Sequence, residues 1–135
     1  MDKIKEIQKE LEDLHQYQVV IYGSYLSKYY ISGRSDIDIA IITQDKEKDS
    51  NFAIWKKLMG NFNEKYDIKI FELLPLFIQI EVIGQYQVLF GDELSISEYF
   101  YYYRKIWDDM KFRIESNQFE TIKEKMDLLN LSKNT

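Results

Sequence analysis

Apolar residues recur along this chain at two different spacings. Residues 2–16 place them three and four positions apart, which predicts an amphipathic helix. Residues 18–22, 36–43 and 66–71 are instead short runs rich in Val, Ile and Tyr, and they predict buried strands. A fourth, shorter strand is expected at 87–90, immediately before a glycine. The chain therefore alternates helical and strand segments.

The segments outside these strands predict helices. Residues 75–83 fit both periods, because Ile78, Ile80 and Val82 alternate as in a strand while Pro75 suits the first turn of a helix. The other predicted helices cover 24–30, a stretch after residue 50, Ser95 to about Ser116, and a separate segment near the C-terminus. This order indicates an α/β (α+β) fold, a small mixed sheet covered by helices.

The composition restricts the classes of protein to which the chain can belong. Its 135 residues predict one domain, and its 45% hydrophobic and 30% charged residues are typical of a globular protein. The lack of cysteine excludes a disulfide, a catalytic thiol and a thiolate metal site, and it fits the cytoplasm. No apolar run approaches the roughly 18 residues of a membrane span. A net charge of −5, without a block of Lys or Arg, argues against direct binding to nucleic acid.

Two aspartates at the start of an apolar strand are the most unusual feature of the sequence. Asp36 and Asp38 would project from the same face of that strand about 7 Å apart, because strand side chains alternate. Buried carboxylates are costly unless they are paired or bind a cation, and Mg²⁺ takes one or two carboxylates together with substrate phosphates. The simpler alternative is an edge strand whose two carboxylates are solvated.

Gly23-Ser24 follows the first strand and supplies a matching element. Glycine lets the backbone approach a ligand closely, and the Ser24 hydroxyl can donate a hydrogen bond. The N-terminus of the helix predicted to follow favours phosphate. A phosphate-binding turn together with metal-binding carboxylates indicates phosphoryl or nucleotidyl transfer.

The Gly-Ser pair, a spacer of eleven residues and Asp-x-Asp resemble the core motif of the nucleotidyltransferase superfamily that includes DNA polymerase β. Within it, the chain is most similar to the minimal nucleotidyltransferases (MNT proteins) of prokaryotes. The resemblance covers residues 1–92, which would form the nucleotidyltransferase core, and it favours a helix over 75–83. Residues 93–135 would then be a C-terminal helical extension packed on the same single domain.

The resemblance also implies roles for individual side chains. The implied phosphate-binding residues are Gly23 and Ser24, and the implied metal-binding and catalytic residues are Asp36, Asp38 and Asp67. Lys28, Arg34 and Ser35 are further candidates for contacts with the nucleotide phosphates, although exposed basic residues are ordinary. Asp67 is the third carboxylate, which the family carries on the next strand. Glu72 is the alternative. Asp67 and Glu72 are an odd number of residues apart, so on a regular strand only one of them can join the site.

The implied activity is a Mg²⁺-dependent nucleotidyl transfer with two ions and ATP as substrate. MNT proteins commonly occur beside HEPN-domain toxins and adenylylate a tyrosine on them, so the implied role is that of an antitoxin. The alternative is a noncatalytic antitoxin that neutralises its partner by contact and keeps a vestigial nucleotide site. The aromatic run at 99–104 has the composition of a protein interface, which also allows a homo-oligomer through the C-terminal helix.

Overall fold

The structure is a computed structural model that describes residues 3–27, Tyr30 and residues 34–133, with the backbone alone for 114–122 and 125–133. Within these residues four strands form one sheet, namely β1 (Gln18–Tyr22), β2 (Ile37–Ile42), β3 (Tyr66–Ile70) and β4 (Tyr86–Phe90). Their order across the sheet is β3-β2-β1-β4. Because β1 is antiparallel to both of its neighbours and β2 is parallel to β3, the sheet is mixed.

Helices cover both faces of this sheet. The α-helices of the described residues are α1 (Lys3–Glu10), α2 (Lys48–Leu58), α3 (Leu76–Gly84) and α4 (Glu93–Lys133). Short 3₁₀ helices lie at Glu12–Leu14, Gly23–Leu26 and Phe71–Leu73. The predicted α/β (α+β) class is confirmed, and the ambiguous segment is the helix α3.

The alternation of strand side chains gives the sheet two separate cores. On one face, Val19, Ile21, Ile39 and Ile41 pack with residues of α1 and α2. On the other face, Val20, Tyr22, Ala40 and Ile42 pack with Val82 and Ile83 of α3 and with Ile96 and Phe100 of α4. β2 is therefore buried on both faces, as its continuous apolar run predicts.

The C-terminal helix differs from its prediction in two ways. Capping-box spacing predicts a start at Ser95, but α4 begins at Glu93 because Asp92 caps it. The Asp92 carboxylate accepts a hydrogen bond from the backbone N–H of Ser95 at 2.9 Å. The backbone carbonyl of Asp92 accepts one from the backbone N–H of Ile96 at 3.0 Å. The predicted break after Ser116 is also wrong, since one helix continues to Lys133 and the sequence offers neither Gly nor Pro to end it. No helix of the described residues is both long and apolar enough to cross a membrane.

Two predicted boundaries near the Gly-Ser pair also differ. The helix expected over 24–30 is a 3₁₀ helix at Gly23–Leu26, and residues 28–29 lie outside the described residues. β2 begins at Ile37, so Asp36 precedes the strand and strand alternation does not govern its side chain.

The strand register brings four chain positions to one end of the sheet. Tyr22, at the end of β1, lies opposite Asp38 of β2 and opposite Tyr86 of β4. Asp38 in turn lies beside Asp67 of β3. We call this end, defined by Tyr22, Asp38, Asp67 and Tyr86, the acidic end of the sheet.

Candidate active site

Two aspartates lie side by side at the acidic end. Asp38 and Asp67 are directly paired across the parallel strands β2 and β3, whose backbones are roughly 4.8 Å apart. Burial raises the pKa of the Asp38 carboxyl, and the negative charges of Asp67 and Asp36 raise it further, while Lys69 opposes the rise. The acidic end therefore contains crowded carboxylates that a cation would stabilise.

Gly23 makes room for one of these carboxylates. Its φ of 78° is a left-handed conformation that L-residues rarely adopt, and a Cβ atom here would lie 2.4 Å from Oδ2 of Asp38. The sequence suggested that glycine lets the backbone approach a phosphate. In the structure, the Asp38 carboxylate already lies against the Gly23 backbone, so this contact also requires glycine.

Ser24 lies in the short 3₁₀ helix after Gly23. Its carbonyl oxygen accepts hydrogen bonds from the backbone N–H and the hydroxyl of Ser27, both at 2.9 Å. These bonds hold the turn closed. Ser24 thus lies next in the chain to Gly23, the residue that contacts Asp38.

Tyr22 is a buried residue of the acidic end that the sequence analysis did not select. Its side chain is 6% exposed, and its position opposite Asp38 brings the phenol close to the carboxylates. Burial raises the pKa of Tyr22 most, and the charges of Asp38, Asp67 and Glu81 raise it further. The phenol is therefore neutral and can only donate or accept hydrogen bonds there. Its position just before Gly-Ser was the available signal.

Lys69 is a cation at this end that the sequence analysis did not select. Its Nζ atom lies 3.5 Å from Oδ2 of Asp67, and the two side chains are 45% and 40% exposed. The i, i+2 spacing on a strand places both residues on one face, which is a signal that the sequence carries.

Glu72, the alternative third carboxylate, lies at the opposite end of the sheet. Its carboxylate accepts hydrogen bonds from the backbone N–H groups of Thr43 at 3.1 Å and Gln44 at 3.0 Å. It accepts a third from the hydroxyl of Tyr99 at 2.7 Å. Burial, followed by hydrogen bonds with Tyr103 and Glu72, raises the pKa of Tyr99. The structure therefore places Asp67, and not Glu72, beside Asp38.

The remaining candidates surround a separate cleft on the α1 side of the sheet. Arg34, Ser35 and Asp36 border this cleft of about 780 Å³ together with aromatic and charged residues that include Tyr25, Tyr30, Glu10 and Tyr66. Asp36 thus borders this cleft and directly precedes β2, whose second residue is Asp38. Lys28 lies outside the described residues.

Comparisons with known proteins identify the family. The protein-family model described as "Polymerase beta, Nucleotidyltransferase" matches residues 2–95 of this chain. A protein of Methanocaldococcus jannaschii, provisionally named as a protein adenylyltransferase, is 46% identical over 108 residues, which are 80% of this chain and 83% of that protein. The chain belongs to the polymerase β nucleotidyltransferase family. This confirms the resemblance carried by the Gly-Ser pair and Asp-x-Asp.

Solved structures share the fold of this nucleotidyltransferase. A chain of a toxin–antitoxin structure with AMP-PNP matches with a TM-score of 0.62 at 18% identity, covering 90% of this chain and 99% of that one. A chain of the complex of tri-AMPylated Shewanella oneidensis HEPN toxin with MNT antitoxin matches with a TM-score of 0.58 at 17% identity, covering 88% and 95%. At these identities the likeness shows the fold alone.

The carboxylates of this nucleotidyltransferase suit a metal that the substrate helps to bind. Within the described residues, no group of three Asp, Glu or His side chains is close enough to hold an ion by itself. Mg²⁺ usually takes only one or two carboxylates and completes its shell with water and substrate phosphates. The neighbouring Asp38 and Asp67 fit that pattern, because both offer hard oxygen ligands and their charges repel each other without a cation.

Proposed function

We propose that this protein transfers AMP from ATP to a hydroxyl group on a partner protein, and that it acts as an antitoxin. The observation that carries the proposal is the pairing of Asp38 with Asp67 beside Gly23, in a chain of the polymerase β nucleotidyltransferase family. A cytoplasmic location goes with this proposal.

Asp36 and the two aspartates of the acidic end would divide the chemistry between them. Asp36, Asp38 and Asp67 would hold Mg²⁺, two ions when ATP is bound, which would neutralise the phosphates and polarise the α-phosphate. Asp67 would accept the proton of the acceptor hydroxyl, whose oxygen then bonds to the α-phosphorus as the bond to pyrophosphate breaks. Each transfer thus yields one phosphodiester-linked AMP, one pyrophosphate and one proton.

The phosphates would be bound on the Gly23 side of the carboxylates. Ser24 follows Gly23 directly, and Arg34 and Ser35 lie just before Asp36 in the chain. These three side chains, with Lys28, would supply hydrogen bonds and positive charge to ATP. Because Arg34 and Ser35 border the cleft on the α1 side, the proposed nucleotide would extend from Gly23 across the loop before β2 toward that cleft.

The acceptor is proposed from the relatives. The M. jannaschii relative is named for adenylyl transfer to protein, and one structural neighbour contains an AMPylated HEPN toxin. We therefore propose a tyrosine of a HEPN-domain toxin as the acceptor. The exposed aromatic residues of α4, among them Tyr101 at 63%, Tyr102 at 49% and Phe112 at 71%, suit a protein surface that contacts such a partner or a second copy of the chain.

The test is the transfer of labelled AMP to the purified HEPN partner in the presence of Mg²⁺ and α-labelled ATP. We expect Asp67→Asn to bind ATP and the partner but to lose about 10²- to 10⁴-fold in transfer rate, the usual effect of losing a general base. Asp13→Asn is the matched control, because Asp13 is an exposed carboxylate in the 3₁₀ helix before β1, far from the acidic end.

The same experiment separates the enzyme from the noncatalytic antitoxin. If the wild-type protein neutralises its partner without transferring label, and Asp67→Asn neutralises it equally well, the protein acts by contact and the catalytic proposal fails. Label on a tyrosine that disappears with Asp67→Asn and persists with Asp13→Asn supports it.

A further inference from the structure

The side chain of Lys69 extends toward the acidic end. Lys69 lies two residues after Asp67 in β3, and its Cα is paired with that of Ala40 in β2. Its Nζ atom nevertheless lies 3.5 Å from the Asp67 carboxylate, so the side chain runs back along the strand toward the carboxylates. The ammonium group thus lies beside one of the two paired carboxylates.

The charges of the acidic end favour a cation at this place. The acidic end has two carboxylates, Asp38 and Asp67, and Lys69 supplies one positive charge beside them. Lys69 is also the group that opposes the rise in the pKa of Asp38, so its charge acts on both paired aspartates.

We propose that Lys69 is a resident cation of this site: its ammonium group neutralises Asp67 in the metal-free protein and leaves Asp67 when a divalent ion binds. This inference rests on the proposed function, which makes Asp67 a metal ligand. Lys69 then sets the metal affinity, because each binding event must first break the ion pair. It is a positioning residue, since it holds the Asp67 carboxylate until the ion replaces it.

A second lysine of the chain provides a matched control. Lys65 forms an ion pair with Glu10 at 2.9 Å, and both of these side chains are 45% exposed, close to the exposure of Lys69 and Asp67. Lys65 precedes β3, and its partner belongs to α1 rather than to the acidic end. Replacing Lys65 or Lys69 by Met changes the net charge equally and breaks one exposed ion pair in each case.

The experiment measures binding of Mn²⁺ alone, without nucleotide, from the electron paramagnetic resonance signal of the free ion. We expect Lys69→Met to bind Mn²⁺ roughly two- to five-fold more tightly than wild type, the size of the effect of one exposed ion pair. Lys69→Arg keeps the charge and should bind as wild type does. Lys65→Met should also be unchanged. Circular dichroism of all variants checks that each one is folded.

The outcomes distinguish this inference from the proposed function. If Lys69→Met binds Mn²⁺ no more tightly than Lys65→Met, the resident-cation role is wrong, whatever the transferase assay gives. If wild type and the double variant Asp38→Asn/Asp67→Asn bind Mn²⁺ equally, the metal site is absent and the inference falls with it. Tighter binding by Lys69→Met in a protein that transfers no AMP supports the inference and overturns only the catalytic proposal.

Discussion

Gly23→Ala tests the contact between the Gly-Ser turn and Asp38. The substitution has two costs, because Gly23 has a φ of 78° and because the new Cβ would lie 2.4 Å from Oδ2 of Asp38. A left-handed conformation costs an L-residue roughly 1–2 kcal/mol. Overpacking of a closely packed site adds roughly 1–3 kcal/mol. We therefore expect Gly23→Ala to lower the free energy of unfolding by roughly 2–5 kcal/mol.

Gly60→Ala separates the two costs. Gly60 has a φ of 83°, nearly the same as Gly23, but a Cβ there would have no atom within 4 Å. Its substitution should cost only the backbone part, roughly 1–2 kcal/mol. Removing the Asp38 carboxylate gives a second comparison. In the Asp38→Ala background the nearest remaining Asp38 atom, its Cβ, is 3.5 Å away, which is an ordinary contact.

The assay is urea denaturation followed by circular dichroism, with the four proteins of the Gly23→Ala, Asp38→Ala double-mutant cycle and Gly60→Ala alongside. We expect an interaction energy of roughly 1–3 kcal/mol between the two sites. Gly23→Ala should also lose affinity for ATP, because Asp38 must move. If Gly23→Ala costs no more than Gly60→Ala, or if the cycle gives an interaction energy under about 0.5 kcal/mol, the steric reasoning is refuted.

Two further predictions concern carboxylates at opposite ends of the sheet. The raised pKa of Asp38 means that the folded protein holds this proton more tightly than the unfolded chain, so stability falls as pH rises above the ordinary value of 3.8. The metal-free Asp38→Asn variant should therefore have a higher free energy of unfolding than wild type at neutral pH, and this difference should vanish near pH 3. A higher free energy of unfolding at both pH values would contradict this cause. Glu72→Gln should lower the free energy of unfolding by roughly 1–3 kcal/mol in urea titrations, because an amide cannot accept all three hydrogen bonds of the carboxylate. Transfer of AMP per folded molecule should persist in Glu72→Gln, and its loss would mean that Glu72 takes part in the chemistry.

The strands and their polar ends could be predicted because their signals are local. The apolar runs before Gly23 and after Asp38 define β1 and β2 whatever their neighbours are. The C-terminal region is helical as predicted, but the break that divides it into two helices is wrong. A break was expected after about Ser116, but the polar stretch there contains no Gly or Pro and continues the helix at little cost.

The contacts of the site depended on strand order, which local patterns do not contain. Asp67 could be selected only through the family resemblance, and its place beside Asp38 follows from the parallel pairing of β2 with β3. The contact of Gly23 with Asp38 and the position of Tyr22 follow from the antiparallel pairing of β1 with β2. The charge of Lys69 acts on Asp38 only because β3, which carries Lys69, is the neighbour of β2, which carries Asp38.

The contrast between Glu72 and Asp38 shows how the same functional group serves two purposes in one sheet. Glu72 accepts three hydrogen bonds at one end, so its charge is stabilised within the protein and has little left to offer a ligand. Asp38 is half-buried beside Asp67, and its carboxylate lies against a residue that lacks a side chain. An ionised Asp38 therefore costs stability that a bound cation would restore, as is common at functional sites.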